Sequence, residues 1–398
     1  SLLAASDAAA EFELGIAQVS TIADTARISL SDISDDIMQL SMDTGKSANG
    51  LSEAVYSAIS ASMDTAEAVE FTGTSTKLAG GGFTSAATAV DVLTTTLNAY
   101  GLEASKAENI ADMLITTQNL GKTTVDELAA SVGKVIPIAA AYGVEMDNLS
   151  TAYAELTKGG IATAEAGTYL KSMLNELGDS GSTVSAVLRE QTGQSFAKLT
   201  AQGYSLGDIM EVLGDSVNGD AGAFNELWSS SEAGVGALSL YNAGAEQFNT
   251  TLQALQNSLG ATEAAYAAMN DTVADSKEDL ENAEQNLQIT IGQSINPLMG
   301  QLYDVGTDVL NMLTQFAREH PVAVKAVAAV AIGLGSVAAA LTAVGVASVA
   351  LHTAIPAIVA FGTTINTALG PIGWAAMAIG GLTVAVAAFV GMLESAED

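Results

Sequence analysis

The chain has 398 residues, and 13 Lys and Arg stand against 45 Asp and Glu for a formal net charge of −32, a balance that repels a phosphate backbone and argues against nucleic-acid binding. It has no cysteine, which removes disulfides, thiolate chemistry and Cys-based zinc sites without fixing the compartment. Aromatics make up 5%, too few bulky side chains for one large core, so small residues and closely packed helices are expected instead.

The first residue is Ser1 rather than Met, which reads as a fragment or a trimmed product. Ser1–Ala10 lacks the basic stretch of a signal peptide. Residues 1–79 are rich in Ala, Ser, Thr and Asp, with Leu, Ile and Met at rough helical spacing. They predict an N-terminal helical segment, either a long helix that needs partners or a partly ordered one. Asp32, Asp35 and Asp36 read as a solvated face without calcium-loop spacing. Gly80-Gly81-Gly82 predicts the clearest flexible break.

From 83 to 261 the pattern is a helical core punctuated by glycine. Five prolines in the whole chain leave long stretches for helix. Ser105…Glu108 and Thr124…Glu127 read as capping boxes, and Ser205…Asp208 and Ser276…Asp279 as weaker versions. Gly101, Gly121, Gly143 and Gly203 precede these and other helix starts, where a left-handed residue would close the previous helix. Ala99-Tyr100-Gly101-Leu102-Glu103 returns as Ala141-Tyr142-Gly143-Val144-Glu145. Two copies do not make a solenoid, and they predict two similar helix–turn–helix joints.

Residues 262–320 predict coiled-coil-like helices. Met269, Val273, Ser276, Leu280, Ala283 and Leu287 alternate in steps of four and three. A slip follows through Ile291 to Ile295, and Leu298, Leu302, Val305, Val309, Met312 and Phe316 resume the pattern. This is a seam with a stutter. Asn296-Pro297 sits at the slip and predicts a helix restart there. The seam is either an amphipathic hairpin on a globular body or an inter-chain coiled coil. Leu280, Leu287, Leu298, Leu302, Val309 and Phe316 are the candidate self-association residues.

His320-Pro321 is expected to end that helix. Beyond it Lys325 is set against Glu394, Glu397 and Asp398, a net of −2, so −30 belongs to residues 1–320. No charged residue occurs from Ala326 through Leu393. Residues 321–393 therefore predict an apolar Ala/Gly-rich helical hairpin, long enough to span a bilayer but carried by Ala more than Leu. Val327, Leu334, Leu341, Trp374 and Phe389 are its candidate membrane or bundle contacts.

Several motifs fail. Gly333…Ala338 matches a dinucleotide fingerprint, yet no acid lies between Glu319 and Glu394 to complete it. His320 and His352 have no acid placed to orient them for a catalytic triad and are too few for a His-based catalytic metal centre. The acids are read as isolated surface groups, and nothing marks a pair for glycoside hydrolysis. No cofactor and no metal are implied.

The stretch Val132–Leu213 carries a resemblance. Its elements are Gly133–Pro137, Ala141-Tyr142-Gly143-Val144, Leu156-Thr157-Lys158-Gly159-Gly160-Ile161, Glu165-Ala166-Gly167-Thr168, Leu170-Lys171 and Met173-Leu174. In order and spacing they resemble the core region of tailed-phage tape-measure proteins of the TP901 type, and the likeness extends more loosely from about Gly82 to Val344. The resemblance implies a multimeric helical protein in the lumen of the tail tube, and the residues themselves, all-α in pattern and without a catalytic constellation, predict no enzyme. There it would set tube length, meet tube, baseplate or tail-tip proteins, leave ahead of DNA and help breach the host envelope and its membrane. Family members usually carry a longer helical ruler, which this stretch does not contain. Two other readings remain: a pore-forming toxin, and a cell-wall hydrolase using two carboxylates.

Overall fold

A computed structural model describes residues 2–319. Every regular element among them is a helix, so the all-α class holds. The apolar stretch with Val327, Leu334, Leu341, Trp374 and Phe389, the His320-Pro321 stop and the Gly333 motif lie outside the described residues. Among the described residues no helix is long and apolar enough to cross a membrane.

Two compact units are distinguished. The larger runs from Phe12 to Asn286, and the smaller joins, among the described residues, those up to Glu11 with residues 287–319. Helix α1 (Leu2–Ser20) contributes to both. Helix α2 (Leu30–Thr44) starts on a full capping box, in which Ser29 Oγ accepts the Asp32 N–H and the Asp32 carboxylate accepts the Ser29 N–H. Helix α3 (Ala48–Ser60) follows across the Gly45–Ser47 joint. Next come α4 (Ala68–Gly82) and α5 (Ala86–Tyr100). A 3₁₀ turn at Ala104–Lys106 leads into α6 (Ala107–Leu120). Helices α7 (Val125–Val132), α8 (Ile136–Ala141), α9 (Met146–Lys158) and α10 (Thr163–Gly178) form the middle of the unit. The short α11 (Thr183–Thr192), α12 (Phe196–Ala201), α13 (Leu206–Ser216) and α14 (Ala221–Glu226) lead to α15 (Ser231–Ala243) and α16 (Ala245–Gln256). Helix α17 (Ala261–Asn270) returns to α4 and α6, and α18 (Val273–Glu319) runs for 47 residues.

The glycine triplet is not a flexible break. Gly80, Gly81 and Gly82 form the last turn of α4, and Gly81 and Gly82 are buried. A Cβ at Gly80 would stand 2.8 Å from Tyr266 Cδ2, one at Gly81 2.8 Å from Ala265 Cβ, and one at Gly82 2.5 Å from Val125 Cβ. The glycines let α17 and α7 press onto α4, which is why they sit in a helix despite their poor propensity. The left-handed residue that ends α4 is the next one, Phe83, at φ +58.

Local signals fared unevenly. Thr124 Oγ1 accepts the Glu127 N–H, and Ser205 with Asp208 makes a complete box. Ser105 caps nothing: the chain enters α6 through the 3₁₀ turn. The Ser276 box is displaced by one turn, because Thr272 Oγ1 takes the Asp275 N–H and Ser276 lies inside α18. Gly101, Gly143 and Gly203 are left-handed, but Gly121 is extended at φ −96. Its N–H still bonds Thr117 O at 2.8 Å. The two echoed joints match closely. Leu102 N–H bonds Leu97 O, and Val144 N–H bonds Ala139 O, both at 2.9 Å. Glu103 and Glu145 then take up the same extended conformation before the next helix. Tyr100 Oη donates to Val144 O at 2.9 Å, so the first joint is tied to the second.

With so few aromatics the core is mostly aliphatic and alanine, and its buried hydroxyls are turned back on their own helices. Thr72, Ser75 and Thr76 on α4 and Thr94 and Thr96 on α5 are buried, each donating to the carbonyl four residues earlier at 2.7–2.9 Å. A hydroxyl satisfied this way asks nothing of the neighbouring helix, which can approach closely. Among the fully buried aromatics, Tyr153 has a hydroxyl to satisfy. Tyr153 on α9 shares a 2.9 Å bond with Ser131 on α7, and Ser131 Oγ also reaches Thr163 O on α10. Gly167, one of the residues carrying the family resemblance, leaves the space this pair occupies. Burial pushes the Tyr153 hydroxyl well above its usual range.

Candidate interaction surface

Helix α18 carries all six candidate self-association residues, and its register decides what they can do. The sequence stripe Ser276, Leu280, Ala283, Leu287 has a twin one residue earlier: Asp275, Asp279, Asn282, Asn286, in the same steps of four, three and four. The polar twin is the one that docks. Within the larger unit Asn282 Nδ2 donates to Gly45 O at 2.6 Å, and Asn286 Nδ2 donates to Ser41 Oγ at 2.8 Å. Gln285 Oε1 accepts from Ser47 Oγ at 3.3 Å. Lys46 Nζ lies 3.3 Å from Asp275 Oδ1 and 3.0 Å from Glu278 Oε1. Burial pulls the Lys46 ammonium down, but the bonds and charges of Glu278 and Asp275 outweigh it and hold the group above its usual range. From α17, Tyr266 Oη donates to Thr44 O at 2.8 Å. The α2–α3 joint is thus gripped by side chains of α17 and α18.

Docking the polar stripe turns the apolar one outward. In the larger unit Leu280 is 70% exposed, and in the smaller unit Leu287 is 60% and Ile291 41% exposed. Leu298, Leu302, Val309 and Phe316 fall further along the same helix. The seam begins later than its spacing implies, since Asp271 and Thr272 separate Met269 on α17 from α18. It is also unbroken at the slip, because Pro297 lies inside α18 and no restart occurs. In the smaller unit Ser6 Oγ donates to Asn296 Oδ1 at 2.7 Å. There Gly292 is pressed against the Ala5 backbone and the Ala9 methyl, with Ala5, Ala9 and Ile289 buried.

Some acids read as surface groups are staples between helices, Asp112 and Glu155 buried and Glu176 half-buried. Asp112 on α6 is 1% exposed and accepts the N–H groups of Gly260 and Thr262 at 2.8 Å each, capping α17 from a neighbouring helix. Glu155 on α9 is buried and accepts from Thr251 and Gln247 on α16. Glu176 at the end of α10 accepts Ser229 N–H at 2.7 Å, Ser230 N–H at 3.0 Å and Ser230 Oγ at 2.8 Å. Nothing local marks these residues, because each cap lies 50 or more positions away in the chain. The α18 stripe was findable, since Asn282 and Asn286 repeat the seam's own spacing. No three or more acidic or histidine side chains among the described residues group as a metal cage.

Residues 34–228 match a family model described as phage-related minor tail protein. The chain is similar to a protein of Clostridium phage phiCD119 named "Probable tape measure protein", with 29% identity over 322 residues that cover 78% of this chain and 34% of that protein. The chain therefore spans about a third of that relative's length. No solved structure matches it.

Proposed function

We propose that this chain is a structural phage tail protein of the tape-measure type, a reading supported by its similarity to that family and to a tape measure protein, and that it works in the lumen of the tail tube by presenting surfaces, with no catalytic step. Copies associate through the seam of α18, whose Leu280 and Leu287 face outward and whose spacing continues at Leu298, Leu302, Val309 and Phe316. The assembled helices set tube length against the tube protein and the baseplate or tail-tip proteins. On ejection the chain leaves ahead of DNA, and the apolar segment with Val327, Leu334, Leu341, Trp374 and Phe389 meets the host membrane or packs among its own copies. The observation that carries this reading is the inverted α18: polar residues are spent on the chain's own α2–α3 joint while bulky apolar ones face outward. A single apolar side chain on a surface is ordinary, but a row at seam spacing is what a partner helix needs. The acidic body supports the same reading, because a net charge of −32 keeps it from sticking to passing DNA.

The test is tail length. An α-helix advances about 1.5 Å per residue. In-frame duplication of helical residues in the full-length protein should lengthen particles in proportion, measured by electron microscopy. Tails of unchanged length, or normal tails that lack the chain by mass spectrometry, would overturn the proposal.

A further inference from the structure

The docked face of α18 carries negative charge that nearby protein groups do not balance. Asp275 Oδ2 and Asp279 Oδ1 are buried and have no hydrogen-bond partner. The Asp275 side chain is only 10% exposed, and its other oxygen is the one that meets Lys46. Lys46 is shared with Glu278. The two aspartates are one turn apart, so they share a face of the helix. Asp279 Oδ1 occupies the space where a Cβ would stand at Gly45. Gly45 is the left-handed residue that closes α2, so these carboxylates face the end of a helix that is itself negative. Thr44 O and Gly45 O, at the end of α2, each accept one bond, from Tyr266 and Asn282. Buried charges are tolerated when they are paired or coordinate a metal, and here Lys46 meets Asp275 and Glu278 but not Asp279.

We propose that Asp275 and Asp279, with backbone oxygens at the end of α2, hold a hydrated divalent cation that pins α18 to the α2–α3 joint. The donors are all hard oxygens, the set that suits Mg²⁺ or Ca²⁺ rather than a softer metal. Two carboxylates fall short of a full protein cage, so water completes the shell, as is usual for Mg²⁺. Asp279 and Gly45 are matched: any side chain at position 45 would displace the carboxylate.

The experiment is thermal unfolding of the full chain after EDTA treatment, with MgCl₂ or CaCl₂ added against NaCl at equal ionic strength, beside calorimetric titration with each metal. The cation should raise Tm by about 5 °C at a hundredfold excess over Kd and bind once per chain. Asp275→Asn/Asp279→Asn should keep the helical circular dichroism and lose both responses. Asp35→Asn/Asp36→Asn, which removes the same charge from an exposed face of α2, should keep them. Asp279→Asn alone serves if the double variant does not fold. A wild-type response no greater than that to NaCl, or an equal response in the Asp275/Asp279 variants, overturns the proposal.

Discussion

Asp112 and Glu176 show how this chain uses carboxylates to hold the starts of helices distant in sequence. Asp112 holds two backbone N–H groups at the start of α17, that of Thr262 buried and that of Gly260 partly so. Asp112→Ala would strand them, and a buried unsatisfied donor together with a lost charged bond is worth about 3 kcal/mol. Urea denaturation of the variant should show that loss, with Asp112→Asn, which keeps an acceptor oxygen, losing roughly half. Glu176 answers to pH. Burial pushes its carboxyl up, but the bonds from Ser229 and Ser230 outweigh that and hold it below the usual value. A carboxyl lowered on folding stabilises the fold above its unfolded pKa and stops doing so as pH falls through the folded one. The stability gap between wild type and Glu176→Gln should therefore be full near neutrality and close from about pH 5 downward, read as Tm against pH. A gap that persists at low pH would mean that the carboxylate's charge is not what holds α15.

At the scale of elements, α4 and α18 separate what periodicity reveals from what it hides. Helix content, the caps at Thr124 and Ser205 and the left-handed Gly101, Gly143 and Gly203 are local, and local patterns exposed them. The Gly80–Gly82 triplet is locally a break and globally a notch, and only the presence of α17 and α7 decides between them. Gly81→Ala weighs the two readings against each other. Alanine gains about 1 kcal/mol in helix propensity, whereas overpacking a close contact costs about 1–3 kcal/mol. With Ala265 Cβ at 2.8 Å and the Tyr266 backbone N at 3.3 Å, neither easily displaced, the variant should be less stable by about 1 kcal/mol by denaturant unfolding. In a flexible linker it would be neutral or stabilising. Seam spacing in α18 was equally legible, but its direction was not. Two stripes one residue apart have the same period, and the docked one was selected by Ser41, Gly45, Lys46 and Ser47 more than 220 positions away. Leu280→Lys/Leu287→Lys should accordingly leave Tm within about 1 °C of wild type, since substitutions at exposed positions shift stability little, while Asn286→Ala lowers it through the lost bond to Ser41.

For the whole molecule, charge and seam pull in opposite directions. A net charge of −32 makes copies repel one another and strains each folded chain, whereas the α18 seam gains by being covered. Salt distinguishes the two because it screens repulsion and leaves apolar burial nearly untouched. The screening length falls from about 30 Å at 0.01 M to about 10 Å at 0.1 M. If copies meet through Leu280, Leu287 and the positions that follow, sedimentation should show association strengthening as NaCl rises over that range, and Leu280→Lys/Leu287→Lys should weaken it at both ends. If copies met through ion pairs the trend would reverse, and exposed pairs such as Lys277–Glu281 would be the place to look. The expected direction follows from the inventory of charge: with 13 cations against 45 anions, a second copy offers few positive groups to a first, and the surface left to it is apolar.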